Sequence, residues 1–218
     1  MAEVTAGGLT REVEEEAFYH EASLNAAWVG ARLAIGALTF GFGAFVFAFF
    51  YLRSTDSFRM WYPVGFQATQ LWAGTLIMGL VVVSAAVQFI ALRQIKAGRK
   101  SPWIAGASIA LVLGLGAIGI QIWQLLNLPF YPGSSGFASV FVGSMPVFIA
   151  VAFMVLIWLH ILIGRCRPIL RIFFVEQPPT YAEAFAVQRF QANLSGFSLV
   201  WSYLAVMAIL FWVLFYAI

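Results

Sequence analysis

Five apolar stretches, each long enough to cross a lipid bilayer, organise this 218-residue chain. They cover residues 33–52, 71–95, 103–126, 137–163 and 197–218, and none of them contains Asp, Glu or Lys. A hydrocarbon core about 30 Å thick needs about 20 helical residues to span it, and every stretch meets that length. We therefore predict an all-α polytopic membrane protein with five transmembrane helices.

The cations around these stretches predict the orientation of the chain. Of 12 Lys and Arg residues, ten fall in the leader or around the second and fourth loops, while the first loop holds only Arg53 and Arg59. Cytoplasmic loops carry the excess of Lys and Arg, so we predict a cytoplasmic N-terminus and an external C-terminus. Because the cations do not cluster on a soluble face, no nucleic-acid partner is expected.

Two regions outside the apolar stretches have helical patterns of their own. Residues 1–30 form an acidic leader, in which we predict a short amphipathic helix at the membrane surface and no cleavable signal peptide. The five-helix membrane domain then occupies residues 31–218. In the fourth loop, Pro178 and Pro179 interrupt the chain, and Thr180 with Glu183 has the spacing of a capping box. This predicts a short interfacial helix over Tyr181–Ala192.

Few residues in this chain could support chemistry. His20 and His160 are the only imidazoles, and Cys166 is the only thiol. A heme commonly takes two axial ligands and a copper site several His, so we predict no catalytic, cofactor or metal site in this chain. His160 is expected to be a hydrogen-bonded interior or interface group, and Cys166 a bystander. Gln121 and Gln124 lie one turn apart and are expected to bond across helices.

One segment carries a resemblance to a known family. Phe45–Pro63 resembles the end of a transmembrane helix and the following loop in subunit III of heme–copper oxidases. In that family an aromatic-rich helix runs into Tyr-Leu-Arg, and a Trp and a Pro follow the loop. The corresponding residues here are Tyr51, Arg53, Trp61 and Pro63.

Three later segments extend the resemblance in the same order along the chain. Gly114–Gln124 is similar to a family helix that carries a Leu-Gly pair and a Gln three residues before a Glu. Phe153–Gly164 is similar to the signature that ends in Leu-His-Val-Leu-Ile-Gly. The last helix, which contains Trp201 and Trp212, is also similar to the last helix of that family. The match runs from residue 32 onward and has the helix count of the short bacterial form.

The departures from the family pattern all remove an ionisable group. Thr39–Phe42 contains no acid where the family usually has a buried Glu, and Gln124 stands at the position of the second expected Glu. Ile157 replaces the first His of the family's His-x-x-His and leaves His160 alone. In the last helix, Ser202 and Ala205 replace a His and an Asp. A role in collecting protons through the helices is therefore not expected.

The resemblance implies a cofactor-free component of a respiratory terminal oxidase in a prokaryotic cytoplasmic (inner) membrane. Such a subunit would pack against the heme-bearing subunit I, in a complex with subunit II and small subunits. It would also hold phospholipid. Membership of a larger respiratory supercomplex is left open. Hemes and copper would lie in the partners. The candidate structural, lipid-contact or interface residues are His160, Gln121, Gln124, Arg53, Trp61, Pro63 and Tyr51.

Two alternatives stay open. An accessory membrane subunit of nitric oxide reductase would share this scaffold. A small transporter is less favoured, because the apolar stretches lack the buried charges and the inverted repeat that are typical of transporters.

Overall fold

The computed structural model of the chain describes residues 3–56, 61–62, 70–97, 99–172 and 181–218. These residues contain five α-helices and no strand: α1 over Glu3–Ser54, α2 over Leu71–Lys96, α3 over Lys100–Leu126, α4 over Gly136–Ile172 and α5 over Tyr181–Trp212. A π-helical turn over Val213–Ala217 continues α5. Each of the five helices includes a segment long and apolar enough to cross a membrane. The predicted fold class is confirmed.

Three helices extend far beyond the apolar stretches that predicted them. α1 runs without a break from Glu3, so the structure shows no separate helix in the leader. α4 continues nine residues past the predicted end, to Ile172. α5 begins at Tyr181 and passes straight through the predicted gap, so the separate interfacial helix over Tyr181–Ala192 was wrong. The physical reason is that no proline after Pro179 interrupts the backbone hydrogen bonds of α5.

The position of the first turns of α1 at the membrane surface stays a prediction, and so does the orientation of the two termini. The side chains of residues 1–14 and of His20 lie outside the described set.

Helix α5 is the element around which the others pack. It contacts α1, α2 and α4, while α2 and α3 form a tightly packed pair and α4 also contacts α1 and α3. Glycines mark two close approaches. A Cβ added to Gly106 would lie 2.9 Å from the Cβ of Ala91 on α2, and one added to Gly196 would lie 2.9 Å from the carbonyl oxygen of Ala27 on α1. Small residues allow such contacts where no hydrophobic effect draws helices together.

Aromatic rings fill the space between α1 and the other helices. The ring centres of Phe42 and Phe211 are 5.5 Å apart, and those of Phe49 and Phe215 are 5.7 Å apart. Both pairs pack edge to face. On the opposite side of α1, Phe40 and Phe47 are 85% and 70% exposed. One face of α1 thus belongs to the core, and the other is available to lipid or to another membrane protein.

Candidate functional site: neutral polar contacts between the helices

The two glutamines near the end of α3 make the cross-helix hydrogen bonds that were predicted for them. Gln121 Nε2 donates to the Sδ of Met145 on α4 at 2.7 Å. Gln124 Nε2 donates to the phenolic oxygen of Tyr216, at the end of the chain, at 2.8 Å. Both glutamines are buried. Together these bonds connect α3 to α4 and to the π-helical turn.

These glutamines border a small cavity of about 30 Å³ between α2, α3, α4 and α5. Since one buried water needs about 10–15 Å³, the cavity has room for about two or three waters and not for a heme or a lipid. Gly74 of α2 lies against the ring of Tyr216, and any side chain at that position would overlap the ring. The other lining residues are Ile77, Met78, Gln121, Gln124, Met145, Phe148, Ala208, Phe211, Trp212 and Phe215.

A serine near the middle of α2 joins three helices. Trp201 Nε1 of α5 donates to Ser84 Oγ at 3.1 Å, and Ser84 Oγ donates to the carbonyl oxygen of Ala110 on α3 at 2.7 Å. A second indole of α5 repeats the arrangement closer to the start of α2, where Trp212 Nε1 donates to Thr75 Oγ1 at 3.0 Å. Every group in these contacts is neutral.

The segment of α1 in which the family would have a buried acid carries a hydroxyl contact. Thr39 Oγ1 lies 2.7 Å from the carbonyl oxygen of Ile35 and 3.1 Å from the phenolic oxygen of Tyr203 on α5. The contact links α1 to α5 without a charge.

Trp61 connects the first loop to the start of α4. Its backbone N–H donates to Asp56 Oδ2 at 2.8 Å, and its carbonyl oxygen accepts from the backbone N–H of Phe137 at 3.2 Å. The indole ring is buried and meets the ring of Phe49 edge to face at 5.0 Å. Gly136 permits this arrangement, since a Cβ there would lie 3.0 Å from the indole.

Arg53 and Tyr51 lie near the end of α1 and are not among the residues that line the cavity. The Arg53 guanidinium carbon is 5.9 Å from the centre of the Phe49 ring. Tyr51 is exposed and stacks on Phe47 at 5.8 Å. Pro63 lies outside the described residues. Their predicted role in contacting lipid or a partner stays a prediction.

His160 does not lie in the interior. Its side chain is exposed on the outside of the bundle, so only the interface alternative remains for it. Cys166 is a fully buried thiol. Within the described ranges, no three His, Cys, Asp or Glu residues lie together as a metal site. The prediction that the chain binds no cofactor remains a prediction.

The described contacts can hold helices in register but cannot carry a proton by successive titrations. In the side-chain contacts between helices, the donors are amide, indole and hydroxyl groups, and the acceptors are carbonyl, hydroxyl and thioether atoms. The Asp56 carboxylate, by contrast, accepts from a backbone N–H of the first loop. Sequence reasoning recognised the glutamines as cross-helix groups but missed the partners of Ser84 and Thr39. A sequence without its relatives carries no signal for the register between two distant helices.

Comparison with known proteins tests the resemblance to subunit III of heme–copper oxidases. No family model matches the chain. It is similar to the cytochrome c oxidase subunit 3 of the lancelets Branchiostoma lanceolatum and Branchiostoma floridae, in each case 30% identical over 139 residues. The resemblance to subunit III is confirmed. The matched region covers 62% of this chain, and the chain spans about half the length of the curated relatives it matches.

The subunit III likeness is therefore that of a divergent relative. In the segment Thr39–Phe42 and at Gln124, where the family pattern has acids, this chain makes neutral contacts, from Thr39 to Tyr203 and from Gln124 to Tyr216.

Proposed function

We propose that the chain is a cofactor-free, subunit III-like component of a respiratory terminal oxidase in a prokaryotic cytoplasmic membrane. It packs against the heme-bearing subunit, alongside the other subunits of the complex, and stabilises that assembly; electron transfer and oxygen reduction belong to its partners. The observation that carries this proposal is the similarity to two proteins named cytochrome c oxidase subunit 3.

The bundle interior supports a scaffold in preference to a proton path. Buried carboxylates and ammonium groups are the usual mark of proton relays in membranes. The five apolar stretches contain no Asp, Glu or Lys. Where the family pattern leads one to expect acids, Thr39 pairs with Tyr203, and Gln124 pairs with Tyr216. Each pair contributes about 0.6 kcal/mol by the average measured in membranes and adds rigidity without a titrating acid.

The outer face of α1 supports a role in an assembly. Phe40 and Phe47 project from the bundle, and Gly36 and Gly43 on the same helix have no atom of another residue near the position of a Cβ. A large ring beside a glycine forms a protrusion next to a hollow, and a neighbouring helix or a lipid chain can pack closely against such a surface. Such a face is compatible with contact to both a membrane-embedded partner and phospholipid.

Affinity purification of the tagged chain tests the proposal. The tagged full-length chain is expressed in its native membrane, extracted in mild detergent and analysed by mass spectrometry, with a tagged unrelated five-helix membrane protein as the control. We expect heme–copper oxidase subunits to copurify with this chain and not with the control. Recovery of nitric oxide reductase subunits would favour the alternative, and recovery of the chain alone would contradict membership of any such complex.

A further inference from the structure

The contact between α2 and α5 is built from successive polar layers, and its register follows from two of them. Trp212 bonds to Thr75, and Trp201 bonds to Ser84. The residue number falls along α5 as it rises along α2, so the two helices are antiparallel.

Extending this antiparallel register by one helical turn brings Gln88 of α2 and Ser198 of α5 to the next layer of the contact. Gln88 follows Ser84 by four residues, or about 6 Å along the helix, and Ser198 precedes Trp201 by three residues, or about 4.5 Å. These spacings keep both residues on the faces that already meet at Ser84. Gln88 is 1% exposed and Ser198 is 7% exposed.

Neither side chain of this layer has a hydrogen-bond partner among the described residues. Gln88 Nε2, Gln88 Oε1 and Ser198 Oγ are all buried and unpaired. Gln88 lies 17 residues into α2, too deep for its short side chain to reach either end of the helix. An unsatisfied polar group in a membrane interior costs several kcal/mol, so native structures supply a partner.

We infer that an ordered water molecule binds between Gln88 and Ser198. A buried water makes about three hydrogen bonds to groups that otherwise lack partners. Here the water donates to Gln88 Oε1 and accepts from the Ser198 hydroxyl or from Gln88 Nε2. The α2–α5 contact thus has two direct layers, at Thr75 and Ser84, followed by one layer joined through water. This inference goes beyond the proposed function and does not depend on it.

Magnetisation transfer from water, measured by NMR on the full-length chain in lipid nanodiscs, tests the site directly. The Gln88 side-chain amide signal is assigned by its loss in Gln88→Leu. Gln94, which is part-exposed near the end of α2, is the positive control, and the Trp201 indole N–H, bonded to Ser84, is the negative control. We expect transfer to Gln88 well above that to Trp201. Transfer no stronger than to Trp201 would overturn the inference.

A double-mutant cycle tests whether the water is shared. Gln88→Leu and Ser198→Ala are measured singly and together by reversible unfolding, with Ser202→Ala, at an exposed position of α5, as the control partner. We expect the unfolding equilibrium constant to show a coupling of about threefold for Gln88 with Ser198, the typical size for membrane polar pairs, and none for Gln88 with Ser202. Independent effects would refute a shared water. Coupling without water transfer would identify a direct bond and overturn the inference.

Discussion

The close approach of α2 and α3 gives a prediction whose size follows from one distance. A Cβ added at Gly106 would lie 2.9 Å from the Cβ of Ala91, whereas carbon atoms in contact prefer about 3.5–4.0 Å. Gly106→Ala therefore forces α2 and α3 apart by about 0.6 Å or more. Ala91 is 2% exposed and has no rotamer by which to move away. Overpacking of this kind costs about 1–3 kcal/mol.

A matched substitution in the same helix separates packing from helix propensity. Gly116 is exposed, and a Cβ there meets no atom within 4 Å. Both Gly→Ala changes gain up to about 1 kcal/mol of helix propensity, so the difference between the two variants isolates the packing term. We expect Gly106→Ala to lower the free energy of unfolding by about 1–3 kcal/mol relative to Gly116→Ala. Reversible denaturation in mixed micelles measures the difference.

The compensating change provides a control within the same contact. Ala91→Gly combined with Gly106→Ala moves the methyl group from one helix to the other, and we expect it to restore most of the loss. Equal stability of Gly106→Ala and Gly116→Ala would refute the close contact between α2 and α3.

Three further predictions follow from the contacts and the charges. Trp201→Phe removes the donor to Ser84, and we expect a loss of about 0.6–1.7 kcal/mol in the free energy of unfolding, measured by the same denaturation; no loss would contradict a role for that bond. Gln124→Leu and Tyr216→Phe should couple by about 0.6 kcal/mol in a double-mutant cycle, and additive effects would show that the pair is not formed. Reporter fusions after Arg99 should report the cytoplasm and fusions at the C-terminus the external side, whereas a cytoplasmic C-terminus would contradict the orientation.

The number of spans could be predicted from the sequence because hydrophobic length is a local property. Apart from Ile218, all five stretches lie within helices or the π-helical turn of the structure, and α2 was predicted to within one residue at each end. The ends of α1, α4 and α5 could not be predicted in the same way. Residues outside the apolar stretches continue these helices. Composition shows where an apolar stretch stops, but the backbone hydrogen bonds of a helix can continue past that point.

The candidate site was only partly predictable. Gln121 and Gln124 were recognisable because amide side chains are rare in apolar helices and need partners there. The partners themselves, Met145 and Tyr216, depend on how four helices are placed around one another. His160 shows the opposite case. It was expected to be an interior or an interface group, and the rotation of α4, which leaves it exposed on the outside of the bundle, excludes the interior alternative.

The central claim is that this chain belongs to an oxidase complex and holds none of its redox centres. Heme and copper content, measured on the affinity-purified complex and again on this chain after separation from its partners, tests that claim most directly. The account predicts a Soret band and copper in the intact complex, and neither in the separated chain, whose two His residues are too few for the usual ligand sets. Stoichiometric heme on the separated chain, or a purified complex without heme, would contradict it.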